Sequence, residues 1–314
     1  MHLTILVISG SNTDGFRVIS HFIMYQKDEE KQMEFVRKLS KDALLEQEKN
    51  GVKYLQFPSL IETGVCRHLF STRMGGVSKG HLGTMNLSYS RGDEKANVDE
   101  NFRRIAGVMG CTLEDFVLSH QTHTTNVKVV TAQDKGRGIV KEQGYTDIDG
   151  LITNEPGIVL STFYADCVPL FLVDPVKKAI GLSHSGWRGT VEKMGKVTIQ
   201  KMTEEYGSNP KDIIAAIGPS ICVDCYEVSM DVADAFKNAF ADADNLEQIV
   251  IPKSEEKAQL DLWQANLAVF LEAGVKRENI TLPDICTACN KELLFSHRAS
   301  DGKRGNLGAF LMLN

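Results

Sequence analysis

The chain has 314 residues, of which 42% are hydrophobic and 24% are charged, as is ordinary for a soluble globular protein. Its formal net charge of −6 gives no electrostatic basis for binding nucleic acid or an anionic membrane. No apolar run approaches the ~20 residues that a membrane-spanning helix needs, and seven cysteines, an odd number, indicate a reducing compartment rather than a disulfide-stapled fold. We therefore expect a cytoplasmic protein.

The first 50 residues differ in character from the rest of the chain. A short apolar run at residues 3–8 is followed by a highly charged segment, residues 27–50, which we interpret as helical. Charge-rich segments without an apolar stripe rarely pack onto a core. We expect residues 1–50 to be an extension that is disordered or results from a start codon assigned too early, with a regulatory or partner-binding arm as the alternative. A folded domain is expected over residues 51–314.

Predicted strands and helices alternate irregularly through this domain. Short apolar and β-branched runs predict strands at residues 54–57, 67–71, 116–119, 126–130, 148–153, 158–164, 170–173, 179–182, 213–217, 249–251, 293–297 and 308–313. Apolar residues at helical spacing predict helices over residues 98–109, 190–206, 232–240 and 262–272. Because several predicted strands follow one another directly, an α/β domain with a mixed sheet fits better than a regular doubly wound fold.

A Gly-rich loop, residues 72–80, follows the second predicted strand and leads to Asn86. Successive backbone N–H groups in such a loop can cradle an anion, and Arg73 could hold the anion with two hydrogen bonds. A Gly-Gly turn is more often only a turn, so the loop by itself is a weak indication of a phosphate site.

The central stretch of the chain carries two reactive side chains. The apolar runs at residues 170–173 and 179–182 flank a turn at Asp174-Pro175 and predict a hairpin. Cys167 precedes the first run and His184 follows the second. The predicted hairpin therefore brings a thiol and an imidazole together.

A third candidate ligand lies upstream, in Ser119-His120-Gln121-Thr122-His123. His120 and His123 point to different faces of a strand, so only one of them is expected to reach a metal, and their spacing does not decide which. Two imidazoles and one thiolate would hold a tetrahedral metal and leave its fourth position open.

Two chemistries compete for Cys167. In one it is a thiolate ligand of zinc; in the other it is a nucleophile that His184 activates, as in a hydrolase or deamidase. Asp166 could orient an imidazole in either scheme. The alternative is that each histidine has only a structural role, as a lone histidine beside an apolar run usually does.

Four further cysteines form two C-x-x-C pairs, Cys222 with Cys225 and Cys286 with Cys289. Such pairs suggest a structural zinc site, but the 60 residues between them far exceed the roughly 15–20 of a zinc ribbon. Buried thiols are therefore the preferred interpretation, ahead of a second metal.

Six ordered motifs resemble one family. The motifs are Thr72-Arg73-Met74-Gly75-Gly76-Val77-Ser78, His120-Gln121-Thr122-His123, Ala165-Asp166-Cys167-Val168-Pro169, His184-Ser185-Gly186-Trp187-Arg188-Gly189, Ile217-Gly218-Pro219-Ser220-Ile221 with Tyr226-Glu227-Val228, and Phe295-Ser296-His297-Arg298. Over about residues 50–314 the chain resembles the YfiH/YlmD-like, laccase-domain family of purine nucleoside phosphorylases, most closely its Bacillus-type YlmD branch.

This resemblance implies a single-domain, four-layer α/β/β/α sandwich and a zinc enzyme acting on purine nucleosides and phosphate. Members phosphorolyse adenosine, inosine, guanosine and methylthioadenosine, and deaminate adenosine. The family's metal ligands fall here on His123, Cys167 and His184. An older copper polyphenol-oxidase label attaches to the family, but a multicopper site needs many more histidine ligands than these.

The resemblance also implies further site residues. We expect Cys167, Asp166 and Arg73 to take part in catalysis, and Arg73, Asn86, Arg188 and Arg298 to bind substrate. Members usually carry Gly-Lys-Thr-Gly-Arg near the C-terminus, where this chain has Gly302-Lys303-Arg304-Gly305-Asn306. Arg304 is therefore expected to replace the family arginine from two residues earlier. A non-catalytic zinc-binding protein and the Cys–His hydrolase remain alternatives.

Overall fold

The described part of the chain is built on β-strands, most of which belong to two large sheets. In the computed structural model, which describes residues 34–39 and 43–314, the strands in chain order are β1 (Leu45–Lys49), β2 (Val52–Gln56), β3 (Cys66–Ser71), β4 (Phe116–Leu118), β5 (Val127–Val129), β6 (Gly150–Thr153), β7 (Val159–Tyr164), β8 (Val168–Asp174), β9 (Ala179–Ser185), β10 (Ile214–Ile217), β11 (Glu227–Ser229), β12 (Val250–Pro252), β13 (Lys257–Leu260), β14 (Ile280–Thr281) and β15 (Leu307–Leu313).

Helices lie between these strands. Within the same described residues they are α1 (Pro58–Ile61), α2 (Lys95–Met109), α3 (Trp187–Val191), α4 (Met194–Tyr206), α5 (Met230–Ala239), α6 (Leu246–Ile249) and α7 (Leu262–Glu272). Among the described helices, none combines the length and the apolar character needed to cross a membrane.

Two six-stranded mixed sheets form the centre of the fold. The first has the order β1-β2-β3-β15-β7-β4, and the second has the order β14-β10-β8-β9-β6-β5. Most neighbouring strands are antiparallel, whereas the pairs β4–β7, β5–β6 and β10–β14 are parallel. A small third sheet has the order β11-β13-β12.

Alternating side chains give each large sheet two buried faces. Phe70 and Leu311 point into the core between the two sheets, whereas their neighbours Leu69 and Phe310 pack on the opposite face beneath α2. On the second sheet, residues such as Leu172 face a separate core formed with α4 and α7. The result is the four-layer α/β/β/α sandwich that the resemblance implied, built as a single compact unit from Phe35 to Asn314.

The N-terminal boundary of this unit differs from the expected one. Residues 1–33 and 40–42 lie outside the described residues, and they include residues 27–33 and 40–42 of the predicted charged helix. Residues 45–49, expected to end that helix, instead form β1 and pair with β2. Asn50 and Gly51 join the strands with positive φ angles of 56° and 76°, the backbone that an Asn-Gly hairpin turn requires. The Asn-Gly turn therefore decides the conformation of residues 45–49, and the helix expected from their charges is wrong.

Most other predicted elements are confirmed within a few residues, with two exceptions. Residues 293–297 were expected to form a strand, but they belong to a turn-rich loop. The single helix expected over residues 190–206 is two helices, α3 and α4, because Lys193 adopts a left-handed conformation with φ 61°.

Candidate active site

The β8–β9 hairpin brings the thiol and the second imidazole together, as expected from the sequence. Pro169 is paired with His184 and Val168 with Ser185, so Cys167 lies beside the end of β9. At the other end of the hairpin, the Asp174 carboxylate accepts hydrogen bonds from the N–H groups of two turn residues. The turn therefore fixes the register that aligns Cys167 with His184.

His123 reaches the same place from the loop that follows β4. Its φ is 67°, a left-handed conformation that needs support in a residue other than glycine. The support comes from Asp149, whose carboxylate accepts hydrogen bonds from the N–H groups of Thr122, His123 and Thr124 at 3.0–3.1 Å. Asp149 also contacts Nδ1 of His184, at 2.8 Å. One buried carboxylate therefore positions two of the three candidate ligands.

The three ligand atoms lie within 4.8 Å of one another. Cys167 Sγ is 3.8 Å from His123 Nε2, and the two imidazole rings are nearly perpendicular, with centroids 4.9 Å apart. His184 is buried, Cys167 is half-buried and His123 is exposed. Because Asp149 occupies Nδ1 of His184, its Nε2 is left to bind a metal. His120, the alternative upstream histidine, is not part of this ligand group.

The charges in this cluster reinforce one another. Burial favours the neutral Cys167 thiol, but His184 and His123 outweigh it and lower the pKa of Cys167 to about 6. Burial also favours neutral His184, but the Cys167 thiolate and Asp149 raise the pKa of His184 to about 9. The pKa of Asp149 falls to about 2, since its hydrogen bonds and the His184 charge outweigh its burial. The thiol is therefore prepared to act as a thiolate ligand.

Gly186 lies against the candidate ligands because it has no side chain. A Cβ atom at this position would lie 2.7 Å from the His123 ring and 3.3 Å from Cys167 Sγ. The glycine of the Ser185-Gly186-Trp187 motif is therefore required by its close approach to the candidate ligands, and its backbone conformation is ordinary.

A pocket of about 390 Å³ opens above the three ligands. Its lining combines apolar, polar and cationic side chains, and no carboxylate is among the described residues that form it. They are Leu87, Ser88, Tyr89, Ser90, Arg91, Leu118, Ser119, His120, Gln121, His123, Gly138, Gln143, Phe163, Tyr164, Ala165, Cys167, His184, Arg304 and Asn306.

Two guanidinium groups face this pocket, from Arg91 and Arg304. Burial, and after it the neighbouring positive charge of Arg91, lower the pKa of Arg304 to about 10. Arg304 donates hydrogen bonds to Gly305 O and to the Asn306 side chain, while its buried Nε has no hydrogen-bond partner. Two adjacent cations with an unused donor suit an anionic ligand.

Asp166, expected to orient an imidazole, has other partners. Its carboxylate accepts hydrogen bonds from the Thr287 hydroxyl at 2.6 Å and from the Arg298 N–H at 2.7 Å. Although Ala165 and Cys167 line the pocket, Asp166 does not. The residue that orients the His184 imidazole is Asp149.

The four residues expected to bind substrate also lie outside the pocket lining. Arg73 donates to the carbonyls of Gly83 and Lys291 and lies over the Phe295 ring. Arg188 lies over Trp187, and Arg298 lies over Tyr226. Buried Asn86 accepts hydrogen bonds from the N–H groups of Ser88 and Asn306, so it supports two segments that do line the pocket. The substrate contacts of these four residues stay predictions.

Sequence reasoning missed Asp149 and Arg91. Asp149 stands at the start of a predicted strand, immediately before Gly150, and a carboxylate entering an apolar strand is a signal for a buried polar contact. Arg91 lies in an irregular loop, where no local pattern predicts which way a side chain points. Gln121, part of the Gln-x-His motif, pairs with both backbone groups of Phe163 and so fixes the pocket wall.

Comparison with known proteins identifies the family of the chain. Residues 67–314 match the family model described as multi-copper polyphenol oxidoreductase laccase. Purine nucleoside phosphorylase YlmD of Bacillus subtilis (strain 168) is 37% identical over 243 residues, covering 77% of this chain and 86% of that protein. Adenosine deaminase RL5, from an unknown prokaryotic organism, is 37% identical over 232 residues, covering 73% of this chain and 87% of that protein.

A solved structure gives the same result at the level of the fold. The crystal structure of YlmD from Geobacillus stearothermophilus matches with a TM-score of 0.80 and 32% identity, covering 87% of this chain and all of that one. The family recognised from the six motifs is thereby confirmed. The chain belongs to the laccase-domain family, in the branch represented by the YlmD purine nucleoside phosphorylases.

Proposed function

We propose that the chain is a zinc-dependent purine nucleoside phosphorylase that also deaminates adenosine, with adenosine, inosine, guanosine and methylthioadenosine as phosphorolysis substrates. The observation that carries this proposal is the convergence of His123, Cys167 and His184 beneath a pocket that also presents Arg91 and Arg304. The names of the relatives support both activities. The seven cysteines, with the reduced thiolate the site needs, support a cytoplasmic location.

The donor set fits zinc. Two imidazole nitrogens and one thiolate are a familiar ligand set for a catalytic zinc site with an open fourth position. When bound, zinc would supply Lewis acidity that polarises an oxygen of phosphate, water or nucleoside. Copper fits less well, because a multicopper oxidase needs several histidine-rich sites. The other metal-ligand group in the described part of the chain contains only cysteines.

The cationic side of the pocket suits phosphate. Arg91 and Arg304 lie close enough for their charges to interact, and their guanidinium groups can donate to phosphate oxygens on this side of the pocket. The family arginine is replaced by Asn306, which also lines the pocket, so Arg304 supplies the positive charge from two residues earlier. Arg73, predicted to hold phosphate, has donors committed to Gly83 and Lys291, which makes Arg304 the stronger candidate.

The apolar side of the pocket suits a purine. Leu87, Tyr89 and Phe163 offer faces against which a flat base can pack. In phosphorolysis a phosphate oxygen bonds to the ribose anomeric carbon as the bond from that carbon to the purine nitrogen breaks. Positive charge develops on the sugar, and the residues stabilise it by positioning the negatively charged phosphate beside it.

Deamination of adenosine needs a proton relay as well as water. Asp166 was expected to fill this role, but its carboxylate is committed to Thr287 and Arg298. His120 lines the pocket, and because its Nδ1 accepts from the Asp147 N–H, its Nε2 carries the ring hydrogen and can donate a hydrogen bond there. We therefore assign His120 the role of a hydrogen-bond donor that orients the bound adenosine.

The decisive experiment is turnover of adenosine with and without phosphate on protein of measured zinc content. We expect adenine to appear only with phosphate, and inosine to appear with or without it. Cys167→Ala should lose the zinc ion of the His123–Cys167–His184 centre and both activities. Full activity in Cys167→Ala, or no turnover of any of the four nucleosides at full zinc occupancy, would contradict the proposal.

Matched arginine variants locate the phosphate site. Arg304→Gln should raise the KM for phosphate about tenfold or more, because it removes charge-assisted hydrogen bonds, while deamination changes little. Arg188→Gln serves as the control, since Arg188 is exposed and lies over Trp187 outside the pocket. A phosphate KM that rises in Arg188→Gln or Arg73→Gln but not in Arg304→Gln would return the phosphate contact to the residues predicted from sequence.

A second candidate function is a Cys–His hydrolase. The low pKa of the Cys167 thiol beside His184 favours it, because this pairing activates nucleophilic cysteines. The two functions differ in their dependence on metal. A nucleophilic cysteine would keep hydrolysing its substrate after chelation, whereas the zinc enzyme would lose turnover with its metal.

A further inference from the structure

Four cysteines outside the active site converge on one point. The sulfur atoms of Cys222, Cys225, Cys286 and Cys289 all lie within 4.8 Å of one another. Cys222 and Cys286 are buried, and Cys225 and Cys289 are half-buried, so the cluster lies just beneath the surface. The 60 residues between the two C-x-x-C pairs therefore do not separate them in space.

Backbone pairing brings the two C-x-x-C turns together. Ser220 and Cys286 form an isolated parallel bridge, and the Thr287 N–H donates to Ser220 O at 3.1 Å. Cys222 follows this bridge directly on one segment, and Cys289 closes a turn on the other. The spacing of zinc ribbons does not apply here, because tertiary pairing of distant segments, rather than a short local loop, places the two C-x-x-C pairs side by side.

The geometry of the cluster matches a tetrahedral metal site better than a pair of disulfides. With metal–sulfur bonds of about 2.3 Å, the sulfurs of a tetrahedral zinc site lie about 3.8 Å apart. Cys289 Sγ lies 3.9 Å from Cys222 Sγ and 3.5 Å from Cys225 Sγ, whereas a disulfide needs about 2.05 Å.

The surroundings of the sulfurs stabilise negative charge. The N–H groups of Cys222 and Cys289 both donate to Cys286 Sγ, at 3.2 and 3.5 Å. The Lys38 ammonium lies beside the cluster, held at 3.0 Å by Asp224 within the first C-x-x-C turn. Amide donors and a nearby cation offset part of the charge of a four-thiolate site.

We propose that Cys222, Cys225, Cys286 and Cys289 bind a second zinc ion, as a structural site distinct from the His123–Cys167–His184 centre. All four positions of the metal are filled by thiolates, which is the arrangement of a structural rather than a catalytic zinc. This proposal does not depend on the chain being a phosphorylase.

The second site braces the segment that carries Cys167. Asp166, which precedes Cys167, is held by the Thr287 hydroxyl and by the N–H of Ile221, residues that lie next to Cys286 and Cys222. Asp166 needs this support because its φ is 90°, a conformation that residues other than glycine rarely adopt. Asp166 is thus a positioning residue, and losing the second zinc should lower the melting temperature and weaken, without abolishing, zinc binding at the His123–Cys167–His184 centre.

Metal counting tests the proposal. The reduced protein, purified with zinc, should hold two zinc ions per chain by elemental analysis and native mass spectrometry. Cys167→Ala and the double variant Cys225→Ser/Cys289→Ser should each hold one. Cys111→Ser is the matched control, because Cys111 is a half-buried cysteine outside both clusters, and it should hold two.

A spectroscopic test avoids any loss of folding in the double variant. Cobalt(II) added to metal-free Cys167→Ala, which keeps all four cluster cysteines, should give the intense sulfur-to-cobalt absorption of a tetrahedral thiolate site at one equivalent. Absence of that absorption, one zinc in the wild-type chain, iron in place of zinc, or disulfides among these cysteines in the freshly reduced protein would each overturn the proposal.

Discussion

At the scale of single residues, Asp149 organises more of the site than any predicted ligand does. Its carboxylate holds three consecutive N–H groups of the His123 loop and also Nδ1 of His184. The loop geometry and the imidazole orientation therefore depend on the same buried charge. A substitution that removes the charge of Asp149 but keeps its shape tests the role of this carboxylate without altering the candidate ligands.

Asp149→Asn should weaken zinc binding at the His123–Cys167–His184 centre about 10- to 100-fold, the usual cost of losing a partner that orients a metal-binding histidine. Competition with a chromophoric chelator measures this affinity. Asp147→Asn is the control, since the exposed Asp147 side chain accepts a hydrogen bond from the Thr122 hydroxyl and is not among the candidate ligands. Equal zinc affinities in the two variants would remove Asp149 from this role.

The pKa of Cys167 gives a second residue-scale prediction. In metal-free protein the thiolate forms as the pH rises through about 6, so alkylation of Cys167 should be half-maximal near pH 6 and fall away at lower pH. Burial raises the pKa of Cys111 to about 11, so Cys111 should stay almost unreactive over the same range. Peptide mapping after iodoacetamide treatment measures both rates.

Zinc should protect Cys167 from alkylation, and His184→Asn should move the metal-free midpoint to higher pH, because the variant removes the positive charge that stabilises the thiolate. A midpoint near that of an ordinary cysteine in the unmutated chain would contradict the interpretation. Rapid alkylation of the zinc-loaded protein would instead favour the Cys–His hydrolase.

At the scale of elements, the β8–β9 hairpin and the start of α3 form one rigid support for the ligands. Gly186 joins them at a point where a side chain would collide with the His123 ring. A methyl group at this position must displace His123 or Cys167, because the flanking strand and helix hold the backbone.

Gly186→Ala should therefore lower zinc affinity and turnover at least tenfold while leaving the protein folded. Gly189→Ala is a closely matched control. Gly189 lies in α3, three residues after Gly186, and a Cβ atom there would lie an ordinary 3.7 Å from its nearest neighbours. Zinc titration and adenosine turnover on both variants compare them. Unchanged affinity in Gly186→Ala would show that the site does not need this close approach.

The β1–β2 hairpin shows why one element was missed. The charge pattern of residues 45–49 favoured a helix, yet Asn50-Gly51 encodes a two-residue turn and β2 supplies a pairing partner. The β8–β9 hairpin was predicted correctly because its strands are apolar and its turn contains Asp174-Pro175. Exposed strands carry little hydrophobic signal, so only their turns reveal them.

Gly51→Ala should destabilise the protein by about 1–2 kcal/mol, because alanine must adopt a left-handed backbone there. Nothing lies within 4 Å of the added methyl group, so the effect isolates the backbone. Gly107→Ala, on an exposed face of α2 and equally unobstructed, should stabilise by about 0.5–1 kcal/mol. Urea unfolding midpoints of the two variants should therefore shift in opposite directions, and a shared direction would contradict the turn assignment.

At the scale of the whole molecule, the site lies where the chain passes from one sheet to the other. β7 belongs to the first sheet and β8 to the second, and Ala165, Asp166 and Cys167 connect them. The candidate metal ligands were found from the sequence because each stands beside a recognisable strand, and the resemblance favoured His123 over His120. Of the two cations that line the pocket, Arg304 was expected from the resemblance, whereas Arg91 was not, since it lies in an irregular loop that only the assembled sandwich brings beside Arg304.

Because the folded sandwich brings Arg91 and Arg304 together, phosphate binding should stabilise the whole folded protein. Arg91 and Arg304 lie on separate segments and repel each other, so an anion that binds both should stabilise the native state alone. At a hundredfold excess over its Kd, a ligand adds about 2.7 kcal/mol. Phosphate should therefore raise the melting temperature of the zinc-loaded protein by several degrees beyond chloride of equal ionic strength.

Arg304→Gln should abolish this phosphate-specific rise. Arg103→Gln should keep it, since Arg103 is an exposed residue of α2 that pairs with Glu100 away from the pocket. The charge lost is the same in both variants, so a general electrostatic effect would reduce the shift equally. A shift confined to proteins that retain Arg304 would mean that this residue has taken over the role of the family arginine, and equal shifts would mean that phosphate binds elsewhere.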